Sequence, residues 1–211
     1  MDVAIIDYGA GNLRSVLRAF QYLGADCDII DDPEQGRELR AIVFPGVGAA
    51  FSAMNELKRR GFDLYLKEKC AQGVPILGIC LGTQIIFTKS EEGNTQCLGL
   101  IAGKVRRFPP NLRDDSNTRL KVPHMGWNSV EFVRAHPLCE GLSNGSEFYF
   151  VHSYYPEPEH REVIIGETEY GVVFPSIVGY RNIVAVQFHP EKSGKAGLKI
   201  LENFLRWDGQ C

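Results

Sequence analysis

A chain of 211 residues with 44% hydrophobic side chains can bury a sizeable core without metal or disulfide staples. Its 23 basic and 26 acidic side chains nearly cancel and form no long run of one sign, which argues against nucleic acid or an anionic membrane as partner and for a small substrate or another protein. Cys27, Cys70, Cys80, Cys97, Cys139 and Cys211 include no Cys-x-x-Cys pair, which excludes a compact zinc site or disulfide framework. No apolar run approaches the roughly 18 residues of a membrane span, and no basic start leads into a cleavable apolar segment, so a soluble cytoplasmic protein is expected.

In chain order, VAIID at 3–7 reads as a buried strand, YGAGN as a loop, and Leu13, Val16, Leu17, Phe20 and Leu23 as one face of a helix. CDII at 27–30, AIVF at 41–44 and PILGI at 75–79 are further short apolar runs, separated by segments such as Phe51, Met54 and Leu57 at helical spacing. This alternation predicts an α/β fold with a mostly parallel central sheet flanked by helices. Beyond about residue 95 the chain becomes strand-rich: KVRRF, NSVEFV, EFYFVHSYY, EVIIGETEY, VVFPSIVGY and NIVAVQF follow closely on one another. PPNLRDDSNT at 109–118 reads as a surface loop, and Ala196 to Trp207 as a closing helix. With no repeat and no linker, 1–211 is expected to form one domain.

The stretch ILGICLGTQ places Cys80 between two glycines where a strand gives way to a helical segment from Leu81 to Lys89. A nucleophile elbow has this form, because the nucleophile's backbone is strained and flanking side chains would crowd the turn. A helix N-terminus behind it would favour the thiolate. Taken alone, the pentapeptide equally suits a buried thiol in a tight turn. A nucleophile needs a base, and VAVQFHPEKS offers His189 with Glu191 two residues on, on the same side of an extended segment, to hold the imidazole. Alone, His-x-Glu also reads as a surface histidine beside a solvated acid. His136 and His160 sit in polar Pro-containing turns and read as solvated, whereas His124 and His152 lie in strand-like segments able to line a cleft. FPGVGAAF at 44–51 follows a strand and opens a helix, so amides near Val47 and Gly48, with that of Leu81, are candidate oxyanion donors, although on this motif alone Pro45, Gly46 and Gly48 equally read as a plain turn.

PGVG, GICLGTQ and FHPEKS in this order resemble the class I glutamine amidotransferases over nearly the whole chain. YGAGNLRSV, KVPHMGWNSV at 121–130 and YFVHSYY at 149–155 resemble, within them, the glutaminase subunits of imidazole glycerol phosphate synthases of histidine biosynthesis. The resemblance implies a Cys-His-Glu triad of Cys80, His189 and Glu191, hydrolysis of glutamine to glutamate and ammonia, and passage of the ammonia to a (β/α)8-barrel cyclase partner in a heterodimer. It implies that Gln84 and the backbone of Gly48, Ser153 and Tyr154 hold glutamine, and that no metal or organic cofactor is used. Asn12, Trp127, Tyr149 and Lys192 would belong to the face that docks on the barrel and gates the site. Thr83 stands where these proteins often carry Met, which leaves the triad untouched. Rival expectations are an amidotransferase feeding the anthranilate or aminodeoxychorismate pathway, against which KVPHMGWN argues, a pseudo-enzyme scaffold, and a cysteine peptidase of similar fold.

Overall fold

The computed structural model describes residues 2–9, 11–36 and 38–210; Ala10 of the YGAGN loop and Cys211 lie outside them. In chain order the elements are β1 (Val3–Ile6), α1 (Leu13–Tyr22), β2 (Cys27–Ile30), β3 (Ala41–Gly46), α2 (Ala50–Arg60), α3 (Phe62–Ala71), β4 (Ile76–Cys80) and α4 (Leu81–Ile85). Then come β5 (Lys89–Ser90), β6 (Thr95–Gln96), β7 (Gly103–Arg107), β8 (His124–Phe132), β9 (Ser146–His152), β10 (Tyr154–Pro158), β11 (Ile164–Glu169), β12 (Val173–Tyr180), β13 (Ile183–Val186) and α5 (Gly194–Arg206).

Nine strands make one sheet in the order β2-β1-β3-β4-β13-β12-β11-β8-β9, and β10-β7-β5-β6 make a smaller one. From β2 to β13 every pairing is parallel. The strand-rich later half joins the same sheet through antiparallel pairings. β1, β3, β4 and β13 are fully buried and apolar because helices or strands cover both their faces, whereas the edge strand β2 carries the exposed Asp28. On β1, Val3 and Ile5 enter one core cluster with α1 and α5, while Ala4 and Ile6 enter a second with α2, α3 and the smaller sheet. In α1, Leu13, Val16, Ala19 and Phe20 are buried and Arg14 and Arg18 exposed, so the apolar stripe alone sets which way it faces.

Two close approaches fix the β4–α4 corner. A Cβ on Gly82 would collide with the Phe44 carbonyl on β3, and one on Gly78 would lie 2.9 Å from the Ala185 Cβ on β13. Side chains at either place would push apart the three strands that meet there.

The antiparallel half curls over an aromatic cluster of Phe108, Phe150 and Phe174 into which two histidines are packed. His124 stacks on Tyr170 with ring centres 4.0 Å apart, and the His152 ring lies 5.2 Å from Phe108. Burial holds His124 down to about 4; burial, helped by neighbouring His124 and His189, holds His152 down to about 3. His136, expected in solvent, is instead buried against Trp207; its Nδ1 accepts the Leu138 N–H, and burial, with Arg134, holds it down to about 4. The Pro turn that reads as polar in sequence is covered by α5.

These imidazoles take up protons near pH 6.5 in the unfolded chain and only far lower in the folded one, so below that pH the unfolded state binds more protons and stability falls with pH. The urea unfolding midpoint should therefore drop on going from about pH 7 to about pH 5, and a flat midpoint would contradict this origin. Gly82→Ala should cost about 1–3 kcal/mol in the same measurement at neutral pH, because its Cβ overlaps backbone that cannot rotate away.

Candidate active site

Cys80 ends β4 and precedes α4 with φ 55° and ψ −105°, a backbone region that costs a non-glycine residue about 1–3 kcal/mol. The strained corner follows from the strand order, because β4 lies between β3 and β13 and the chain must turn sharply beside both. Gly46 of β3 stands level with Cys80. The Cys80 Sγ lies 3.9 Å from the Val151 carbonyl oxygen and 3.9 Å from the Gln187 Nε2 donor. The helix expected to run to Lys89 is only five residues long. Little macrodipole therefore stands behind the thiol, and its setting is made by neighbouring side chains and strand ends.

Val186 of β13 is in register with Ile79 of β4, so the segment leaving β13 emerges beside Cys80. His189 follows, 3% exposed, with Nδ1 2.8 Å from Glu191 Oε1. Glu191 reaches it through a 3-10 turn at Pro190–Lys192, where the sequence reading had an extended segment. A carboxylate only accepts, so Nδ1 carries the proton and Nε2 is left without a hydrogen-bond partner. Burial opposes charge on His189, yet Cys80 and Glu191 outweigh it and push the imidazole up to about 9. The Ser193 hydroxyl clamps this segment to β9, donating to the His189 carbonyl at 2.6 Å and accepting the Tyr149 N–H at 2.9 Å. The His189 N–H donates to the Tyr149 carbonyl at 2.9 Å.

A cavity of about 370 Å³ opens over these groups. Val47, Gly48, Cys80, Leu81, Gln84, Ser153, Tyr154 and His189 all line it, so the structure brings the expected substrate and oxyanion residues to one place. Glu191 lies behind His189. Gly48 has φ 95° and open space where a side chain would stand, leaving the Val47–Gly48 backbone bare toward the cavity. Gln84 spends its amide hydrogens on the Tyr154 carbonyl at 2.9 Å and the Gln187 Oε1 at 3.2 Å, which leaves its own Oε1 for a ligand.

Four residues here were missed in the sequence. Gln187 is fully buried between Gln84 and Cys80; its signal was a polar side chain at the end of the apolar VAV run. Glu92 lines the cavity and its Oε2 accepts the Ala50 N–H at 2.7 Å; nothing local in SEEGN marks it. Ser193 was in the motif without a role. Tyr8 lies beneath Gly46, whose Cβ would strike its hydroxyl; that hydroxyl is buried without a partner, and burial, with Cys80 and Asp7 nearby, raises its pKa.

The residues expected on a docking face lie at the surface around this site. Trp127 is 55% exposed and meets the half-buried Tyr149 edge-on at 6.2 Å. Lys192 is exposed on the turn after Glu191. Asn12 is exposed at the start of α1, a helix that packs against that same turn.

The sequence profile of the family Glutamine amidotransferase class-I matches residues 4–207. The chain is 49% identical to "Imidazole glycerol phosphate synthase subunit HisH" of Neisseria gonorrhoeae, over 98% of this chain and 100% of that protein. It is 45% identical to the protein of the same name from Thiobacillus denitrificans, over 99% of this chain and 92% of the relative. A solved structure titled "Crystal structure of glutamine amidotransferase" superposes with a TM-score of 0.76 at 18% identity, covering 98% of each chain, which shows the shared fold. With a family match over residues 4–207 and relatives close to half identical over 92% or more of their length, this chain belongs to the class I glutamine amidotransferases.

Proposed function

We propose that this chain is a cytoplasmic, single-domain glutaminase subunit of an imidazole glycerol phosphate synthase, hydrolysing glutamine with Cys80, His189 and Glu191 and passing the ammonia to a cyclase barrel. The observation that carries the reading is a strained Cys80 sharing one cavity with a His189 that Glu191 holds by its far nitrogen. The names of its nearly half-identical relatives supply the synthase.

In this reading the glutamine carboxamide lies against Cys80, with its α-ammonium near Glu92 and its carboxylate or amide oxygen toward backbone N–H groups. The thiolate attacks the carboxamide carbon, and the negative charge moves to the oxygen, where the Leu81 amide and an amide of the Val47–Gly48 turn receive it. The imidazolium of His189 gives its proton to the departing nitrogen, the C–N bond breaks, and ammonia leaves a thioester on Cys80. Neutral His189 then takes a proton from water, whose oxygen attacks the thioester; glutamate leaves and the thiolate returns. Glu191 stabilises the imidazolium in both halves. Docking at Asn12, Trp127, Tyr149 and Lys192 gates the reaction, because two hydrogen bonds join the Tyr149 backbone to the His189 segment, one through the Ser193 hydroxyl and one from the His189 N–H.

Cys80→Ala should abolish glutamine hydrolysis while the assembled synthase still forms product from ammonium salts. Loss of both activities would make Cys80 structural. Glu191→Gln should lower kcat by about 10²- to 10⁴-fold with little change in KM. Because a carboxylate that raises the His189 pKa is gone, the alkaline limb of the pH–rate profile should also move to lower pH; an unmoved limb would remove Glu191 from the triad. The free subunit should be nearly inactive, and Lys192→Ala should blunt stimulation by the cyclase. Full activity of the isolated subunit would end the gating reading and leave the glutaminase reading standing.

A further inference from the structure

The aromatic cluster of the antiparallel half contains polar atoms that packing does not require. His124 and His152 face one another across β8 and β9, with His124 Nδ1 3.0 Å from His152 Nε2. On the inner side, His152 Nδ1 lies 2.9 Å from the Tyr154 carbonyl oxygen. On the outer side, Asn128 Nδ2 lies 3.3 Å from His124 Nε2 and donates to the Glu169 carbonyl at 2.8 Å.

The two ends dictate the protons. A carbonyl only accepts, so His152 carries its hydrogen on Nδ1 and its Nε2 must accept. His124 therefore carries its hydrogen on Nδ1, and its Nε2 accepts from the Asn128 amide, whose other hydrogen goes to Glu169. Every contact is satisfied with both rings uncharged. A proton added to either ring would set two N–H groups against each other, unless the whole chain reversed and the Asn128 amide turned away from Glu169.

We propose that Asn128, His124 and His152 form a neutral hydrogen-bonded relay from the outer surface of β8 to the glutamine pocket, setting the Tyr154 carbonyl and through it Gln84. The inference rests on the glutaminase reading and deepens it. Three further observations support it. His152 itself lines the pocket. The Tyr154 carbonyl accepts from both His152 Nδ1 and Gln84 Nε2, and Gln84 continues through Gln187 to within 3.9 Å of the Cys80 Sγ. Ser153, between His152 and Tyr154, is where the chain leaves the nine-stranded sheet for the smaller one, so His152 belongs to one sheet and the Tyr154 carbonyl it contacts to the other. At the outer end, Asn128 adjoins the exposed Trp127, and both line a groove of about 450 Å³ with Glu169 and Tyr170. The three residues are positioning residues: His152 contacts the Tyr154 carbonyl, and His124 and Asn128 act through it.

The test compares His124→Asn with His124→Phe in the complex with the cyclase barrel, with turnover normalised to the fraction of Cys80 that reacts with iodoacetamide. Asparagine places an amide nitrogen near the lost Nδ1 and can still donate to His152; phenylalanine keeps the ring between Tyr170 and Phe150 and donates nothing. The relay predicts that His124→Phe raises KM for glutamine about tenfold, the loss of about one hydrogen bond, with kcat on saturating glutamine nearly kept, and that His124→Asn recovers most of it. A packing role predicts the reverse order, and Phe at wild-type KM with Asn impaired would overturn the relay. Should neither variant fold, Asn128→Ala cuts the outer end without touching the aromatic cluster; it should raise KM about threefold, and an unchanged KM overturns the relay. A wild-type complex that does not hydrolyse glutamine overturns the glutaminase reading and the relay together, whereas hydrolysis with unaltered KM in the variants overturns the relay alone.

Discussion

The structure turns on the left-handed backbone of Cys80, a conformation a cysteine adopts only where its surroundings leave no other. Those surroundings are three parallel strands in register: β3 puts Gly46 level with Cys80, and β13 puts Val186 beside Ile79. The Gly82 Cα rests against the Phe44 carbonyl, so the chain cannot relax outward into an ordinary helix start. Strain at the thiol is thus maintained by burial of the parallel core, and the stability of that core is what holds the reactive geometry.

From the same register follows the position of His189. His189 reaches the thiol because β13 runs parallel to β4 as its immediate neighbour, although more than a hundred residues separate them in sequence. The intervening antiparallel strands return β9 over the site, where the Tyr149 backbone and the Ser193 hydroxyl hold the His189 segment from the other side. Cys80 is therefore positioned by the parallel half and His189 by both halves. β9 also carries Phe148 and Phe150 into the core, so the strand that holds the His189 segment is itself anchored by burial and presents Tyr149 beside the exposed Trp127.

Much of this is legible in the sequence where local chemistry is periodic or punctuated. The buried parallel strands are continuous apolar runs, α1 and α5 are clean stripes, and Gly-x-Cys-x-Gly and His-x-Glu each carry their own local reason. The sequence reading fails where tertiary contact decides. α4 stops at Ile85 because the backbone beyond it pairs into the smaller sheet at Lys89, against a helical pattern continuing to Lys89. His136 lies in a polar Pro turn but is covered by a helix some sixty residues later, a contact no window of sequence contains. Glu92, brought to the cavity by the smaller sheet, and Gln187, hydrogen-bonded between Gln84 and Cys80, are invisible for the same reason.

The polar interior of the antiparallel half shows how such hidden residues are constrained. A buried histidine without partners would be replaced at little cost by phenylalanine, since the neighbours are aromatic rings. Two buried histidines in contact are tolerable only if each donates once and accepts once, and then both ends of the pair must meet groups of the right kind. Here the ends are a main-chain carbonyl in the pocket and a side-chain amide near the surface. Neutrality is a requirement of that arrangement, because a proton added to His152 would set two N–H groups against each other between the rings, and one added to His124 would do so at Asn128. The pair therefore transmits position without transmitting charge, and the imidazole of His189, raised by its own thiol and carboxylate neighbours, remains the histidine of the cavity suited to carrying a proton at neutral pH.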